Sequence, residues 1–223
     1  MKRYLLTCGV LSSLLYIAMN AFIPLLYDGY SFQSHTVSEL SAIGAPTRQI
    51  WVPLAFVYTL LFAAFGFGVL KSANGNRHLR TLAIIIFVYC AWNFYWPPMH
   101  QRGIETSLTD TLHIVWASVT VILMMLMMGF GAAALGTKFR VYTIATMILL
   151  MGFGFMTSLD APKIPDNLPT PLLGIWERVL IALFMLWVVV LAIILRHRET
   201  ASRPRSNTPG YLWSTIPDQG FKT

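Results

Sequence analysis

The sequence predicts an all-α, polytopic integral membrane protein, with six transmembrane helices in one bundle over residues 1–198 and both termini cytoplasmic. Three observations predict it. Charged residues are 11% of the chain against 56% hydrophobic, where an ordinary globular protein carries roughly 25% charge. Apolar runs near the ~20 residues needed to cross ~30 Å of hydrocarbon recur along its whole length. Lys and Arg gather in alternate loops, twelve on one side against three on the other, the bias that marks a cytoplasmic face.

Taken in order, the first span is predicted at Tyr4 to Leu26. Lys2 and Arg3 precede it as in a secretory leader, but no small-x-small cleavage site follows and the run exceeds a leader's apolar region, so it is kept as a helix. The second, third and fourth spans are Ile50 to Leu70, Leu79 to Trp96 and Thr111 to Leu135. The fifth and sixth are Val141 to Leu159 and Leu172 to Leu195. Small-xxx-small pairs, such as Ala64 with Gly68, let neighbouring helices approach. Trp51, Trp92, Tyr95, Trp96 and Trp176 are expected as an aromatic belt at the outer boundary. Residues 199–223, rich in Arg, Ser and Pro, read as a disordered cytoplasmic tail.

The formal charge of +7 follows from the loop asymmetry. It gives no ground for a nucleic-acid partner, which needs a basic patch on a folded surface with stacking aromatics. The partner implied is the lipid bilayer, with a lipid or small-molecule ligand at the outer face.

Polar chemistry collects in the three outer connections. The first, Tyr27 to Gln49, carries a capping-box pattern at Thr36-x-x-Glu39 and a stop at Gly44 and Pro46, which predicts a short interfacial helix over about residues 36–43. His35 precedes it and Ser38 lies in its first turn. In the second, Pro97 and Pro98 end a helix and Ser107-x-x-Asp110 starts the next. Asp110 and His113, three apart, share a helix face, and His100 and Arg102 stand across the hairpin. The third, Asp160 to Pro171, is stiffened by prolines and leads to Glu177 and Arg178 inside the sixth span.

A charge near a helix centre costs roughly 2.5 to 3.5 kcal/mol on insertion scales. Arg178 can snorkel outward, whereas Glu177 needs a partner from Arg102, His100 or His113. His35, His100 and His113 with a carboxylate match a zinc or other divalent-metal ligand inventory, with Ser38 a polar helper and Asp110 or Glu177 a catalytic base. The alternative use of the same residues is structural. Glu39, Arg102, Asp160 and Arg178 then act as caps and interhelical clamps, and Glu177 with the histidines forms a clamp or proton relay. A b-type haem held by two of the histidines is a third use. No HExxH or CxxC spacing selects among them.

The runs GYSFQSHTVSELSAIGAPTR, MHQRG, DTLHIVW and GIWERV resemble the bacterial membrane family called domain of unknown function 998, over almost the whole chain. The resemblance implies a multi-span fold in a bacterial inner membrane and no established activity. In residue inventory alone the chain is also similar to the CREST membrane hydrolases, which place three His, an Asp and a Ser around zinc. Those have seven spans and a different motif order. Two functional expectations follow: a metal-assisted hydrolase acting on a lipid or amide, or a non-enzymatic transporter, sensor or partner subunit.

Overall fold

The computed structural model describes residues 1–201, so the predicted tail from 202 onward lies outside the described residues. Six α-helices make up the fold: α1 (Lys2–Phe22), α2 (Arg48–Ser72), α3 (Arg77–Trp92), α4 (Leu108–Ala134), α5 (Thr137–Asp160) and α6 (Leu173–Ala201). No strand occurs among the described residues. Residues 199–201, expected in the tail, continue α6. Five of the helices are long and apolar enough to cross a membrane; the exception is α3, with 16 residues or ~24 Å of rise.

Helix α3 stops four residues before the predicted end at Trp96. A residue that precedes proline is pushed out of the helical region, and Trp96 precedes Pro97 and Pro98. Asn93 takes the C-cap, its Nδ2 donating to Tyr89 O at 2.9 Å.

The helices pack as a closed ring in chain order, α1 against α2 and so on round to α6 against α1, with α2 also touching α6 across the middle. Short connections at Ala73–Asn76 and Leu135–Gly136 join α2 to α3 and α4 to α5 at the end of the ring that holds Lys2 and Arg3; this is called the basic end. The three long connections cover the other end, called the capped end.

Helices in lipid gain no hydrophobic energy by meeting one another, so close packing has to hold them. Gly68 provides it between α1 and α2. A Cβ there would sit 2.9 Å from Leu6 N, which means the two backbones lie in contact. In the basic half the ring is closed by aromatics: Phe62, Phe65, Phe184 and Trp187 are all within 1% of complete burial. Phe184 stacks on Trp187 with centroids 6.1 Å apart, and Phe62 meets Tyr89 edge-on at 5.3 Å. Trp187 Nε1 donates to Thr143 Oγ1 at 3.0 Å, so its single polar atom is satisfied.

The aromatic belt is only partly as expected. Tyr95 is exposed, but Trp51 is buried against Tyr16, and Trp96 faces inward over Trp116. Both line a cavity instead of an interface.

Candidate functional site

The capped half of the ring holds a cavity of about 390 Å³, within the size range of small-molecule sites, walled by residues from all six helices. Its floor is formed by Tyr58, Tyr89 and Met185, with the closed aromatic core behind them. Its roof is the three long connections, and four groups of polar contacts hold that roof down.

The first group is a buried ion pair. Arg102 Nε donates to Glu39 Oε1 at 2.6 Å and its Nη2 to Glu39 Oε2 at 3.1 Å, the two side chains being 12% and 5% exposed. Arg102 also donates to Ser34 O at 2.7 Å and to Thr170 Oγ1 at 2.9 Å. One guanidinium therefore ties the second connection to the first and third. Glu39 answers the predicted capping pattern as well, accepting from Thr36 N–H at 2.6 Å and from Thr36 Oγ1 at 2.9 Å.

The predicted helix over 36–43 is nevertheless one turn of 3₁₀ helix, Ser38–Ser41. Ala42 is extended, and Ile43 N–H leaves the segment to donate to Met99 O at 2.8 Å in the hairpin. With that donor spent across the roof, no second turn forms.

The second group fixes the first connection to α6. Arg178 reaches toward the capped end, where its Nη1 donates to Phe32 O at 3.0 Å and His35 O at 3.1 Å, and its Nη2 to Tyr30 Oη at 2.5 Å. The guanidinium also lies over the Tyr30 and Phe32 rings at 5.5 and 5.2 Å. Gly174, one turn earlier, makes this possible. A Cβ there would overlap the carbonyls of His35 and Phe32, and Gly174 N–H donates to Gln33 O at 3.0 Å. Sequence reading missed Gly174, because a glycine at a helix start carries no signal of what lies on it.

The third group is Asp160 with Lys163, 2.6 Å apart at the end of α5, a local pair where the third connection begins. The fourth is the α3–α4 hairpin, where Asp110 is a saturated acceptor. It takes Ser107 N–H at 2.9 Å and Ser107 Oγ at 3.0 Å, completing the predicted capping box. It also takes His100 N–H at 2.7 Å and His100 Nδ1 at 2.8 Å. A carboxylate with four donors is an orienting group and not a free base.

Three groups in the cavity wall keep an unfilled capacity. His100 puts its Nδ1 hydrogen on Asp110, which leaves Nε2 with a lone pair and no protein partner among the described residues. His113 is held likewise, Nδ1 donating to Pro97 O at 2.6 Å. Glu177 accepts Val37 N–H at 2.6 Å, and no Lys or Arg pairs with it at ion-pair distance among the described residues. Of its three expected partners, Arg102 is committed to Glu39, His100 to Asp110 and His113 to Pro97. Ser38 lines the same cavity.

His35 stands apart. It does not line the cavity, and its Nδ1 accepts Ser31 N–H at 3.1 Å while its ring lies 5.1 Å from Tyr30. Burial holds its pKa below the ordinary histidine value; Glu39 opposes the shift and Arg102 adds to it. The expected set of His35, His100 and His113 is thus not assembled. Among the described residues no group of three His, Cys, Asp or Glu side chains comes together in a way that could hold a metal ion.

Comparison with known proteins supplies a family and no activity. No curated protein and no solved structure matches the chain. Residues 10–194, which take in α2 to α5, most of α1 and α6 and all three connections of the roof, match the model of a protein family of unknown function, and the chain belongs to that family, DUF998.

Proposed function

We propose that the chain is a six-span protein of a bacterial inner membrane, with both termini cytoplasmic, that admits a small amphipathic molecule into the capped cavity and hydrolyses an ester or amide bond at its polar end. The carrying observation is the Asp110–His100 pair at an apolar cavity: one imidazole nitrogen anchored on a carboxylate, the other without a partner. That arrangement fits a histidine to act as general base, since the carboxylate fixes the tautomer and stabilises the imidazolium formed when Nε2 takes a proton. The proton would come from a water, whose oxygen attacks the carbonyl carbon of the substrate; the imidazolium then returns that proton to the leaving alcohol oxygen or amine nitrogen as its bond to the carbonyl carbon breaks, releasing the carboxylic acid. His113, fixed by Pro97, supplies a second oriented nitrogen in the same wall.

Six crossings fit the ring better than five. Helix α3 lies between α2 and α4 and returns the chain from the basic end to the capped end, and residues 93–98 add to its reach. Lys and Arg at the basic end then face the cytoplasm, and the cavity opens toward the outer leaflet.

Purified protein in a nonionic detergent should hydrolyse a long-chain nitrophenyl ester. His100→Gln should lower that rate by about 10² to 10⁴, the range for general acid–base catalysis, while the fold is retained. Equal rates in the two proteins, or no turnover above buffer in the native chain, would refute the reading.

One observation favours a second reading. Glu177 is a carboxylate in a spanning helix with no paired cation among the described residues, the usual mark of a proton or ion path. Proton uptake into liposomes carrying the protein, abolished in Glu177→Gln, would favour transport over hydrolysis.

A further inference from the structure

The cavity wall has a consistent chemical character beyond its size. Its acidic side chains are Asp110 and Glu177, and neither Lys nor Arg contributes to the lining. The Lys and Arg residues at the capped end all point elsewhere: Arg102 to Glu39, Arg178 to the carbonyls of the first connection, Lys163 to Asp160, and Arg48 to Ser41 O. An anionic head group such as a phosphate or a carboxylate would therefore enter with no counter-charge and face Glu177 directly.

Aromatic rings make up much of the remaining wall. Tyr16 bridges Trp51 at 5.9 Å and Tyr58 at 4.8 Å on one side, and Trp96 lies 6.2 Å from Trp116 on the other. All five line the cavity together with Glu177. Ring faces carry negative electrostatic potential and attract ammonium groups, most strongly where water is excluded. A carboxylate among such faces is a site for a positively charged head.

The Glu177 carboxylate is also held in place without being neutralised. Val37 N–H orients it at 2.6 Å, and Ser38 adds a second backbone contact from the same turn. Backbone donors position the group, and no Lys or Arg lies at ion-pair distance from it among the described residues. This contrasts with Glu39, whose charge is met by Arg102.

We infer that the cavity is selective for organic cations: its ligand is an amphiphile whose polar end carries an amine or quaternary ammonium, held by Glu177 and the surrounding rings. The inference rests on the proposal that the cavity takes an amphiphile, and it names the class.

Binding of dodecyltrimethylammonium, dodecanol and dodecyl sulfate, each below its micelle concentration, to the purified protein in a nonionic detergent tests it through saturable quenching of tryptophan fluorescence. The cation should bind at least about tenfold more tightly than the other two, a difference of about 1.4 kcal/mol. Glu177→Gln should remove that advantage and leave dodecanol binding unchanged, because the amide still accepts the Val37 N–H. Equal binding of the three probes, or tighter binding of the sulfate, would overturn the cation preference and leave the amphiphile cavity standing. Saturation by none of them would overturn both. The three-probe comparison on the unaltered chain decides the matter whether or not the variant folds.

Discussion

Around Phe62, Phe184 and Trp187 the helices are packed closed, and toward the capped end they stand apart around a cavity. The same kind of residue does different work in the two halves. Tyr, Trp and Phe close the basic half by packing on one another, as Phe62, Phe184 and Trp187 do. In the capped half Trp51, Tyr16 and Trp96 wall a space instead. The charged residues of the capped end divide the same way. Glu39, Arg102 and Asp160 have their charges met by the protein and Arg178 spends both terminal nitrogens on the first connection, whereas Glu177 and the Nε2 atoms of His100 and His113 have no such partner among the described residues. Saturated groups build the roof, and unsaturated ones are left for a ligand.

The largest expected effect follows from breaking the roof. Arg102→Met leaves Glu39 buried with its charge uncompensated, which should cost about 3 to 5 kcal/mol of stability. The double variant with Glu39→Met removes both charges and should recover much of that loss. Chemical unfolding in detergent measures both. Equal destabilisation by the single and double variants would mean that the pair's charges do not govern the roof.

A smaller effect is expected where the roof lies on α6. Gly174→Ala puts a methyl into the carbonyls of Phe32 and His35, and overpacking of this kind costs about 1 to 3 kcal/mol. Proteolysis of the first connection should quicken in the same variant. No change in either measurement would show that the segment is not seated on α6.

The smallest effect is a pH dependence carried by His35. Its folded pKa lies below the ordinary value because burial disfavours the charged ring, while the unfolded chain titrates near ~6.5. The unfolded state therefore binds the proton first as pH falls. The His35 contribution is fully present above ~6.5 and is lost as pH falls from there toward the depressed folded value. Melting temperature should decline over that window in the native chain and decline less in His35→Gln. Parallel curves for the two proteins would remove the assignment.

Sequence made most of the fold legible, because apolar runs and cap residues are local signals. The spans came within a few residues of α1 to α6, and Ser107 with Asp110 announced the start of α4. The site was legible only as an inventory. Arg102 and Glu39 are 63 residues apart, and nothing local told Arg102 to choose Glu39 over Glu177. The inward turn of Trp51 was hidden for a related reason: a helix that is apolar on all sides gives no face to read. His35 sits beside Thr36 and Glu39 in sequence, yet the backbone turn at Ser31 directs its ring to Tyr30 and away from the other histidines. The metal reading needed three side chains to converge, and convergence is a property of the ring and not of any segment.

The contrast between the cavity and the closed aromatic core can be tested with two single cysteines in a background lacking Cys8 and Cys90. Thr120 is buried, lines the cavity, and leaves its hydroxyl without a partner among the described residues. Thr143 is fully buried in the packed half beside Trp187. A small water-soluble thiosulfonate added outside intact cells should label Thr120→Cys and spare Thr143→Cys, and dodecyltrimethylammonium should protect the first site. Labelling of neither position from outside, or equal labelling of both, would contradict an outward-opening cavity above a closed core.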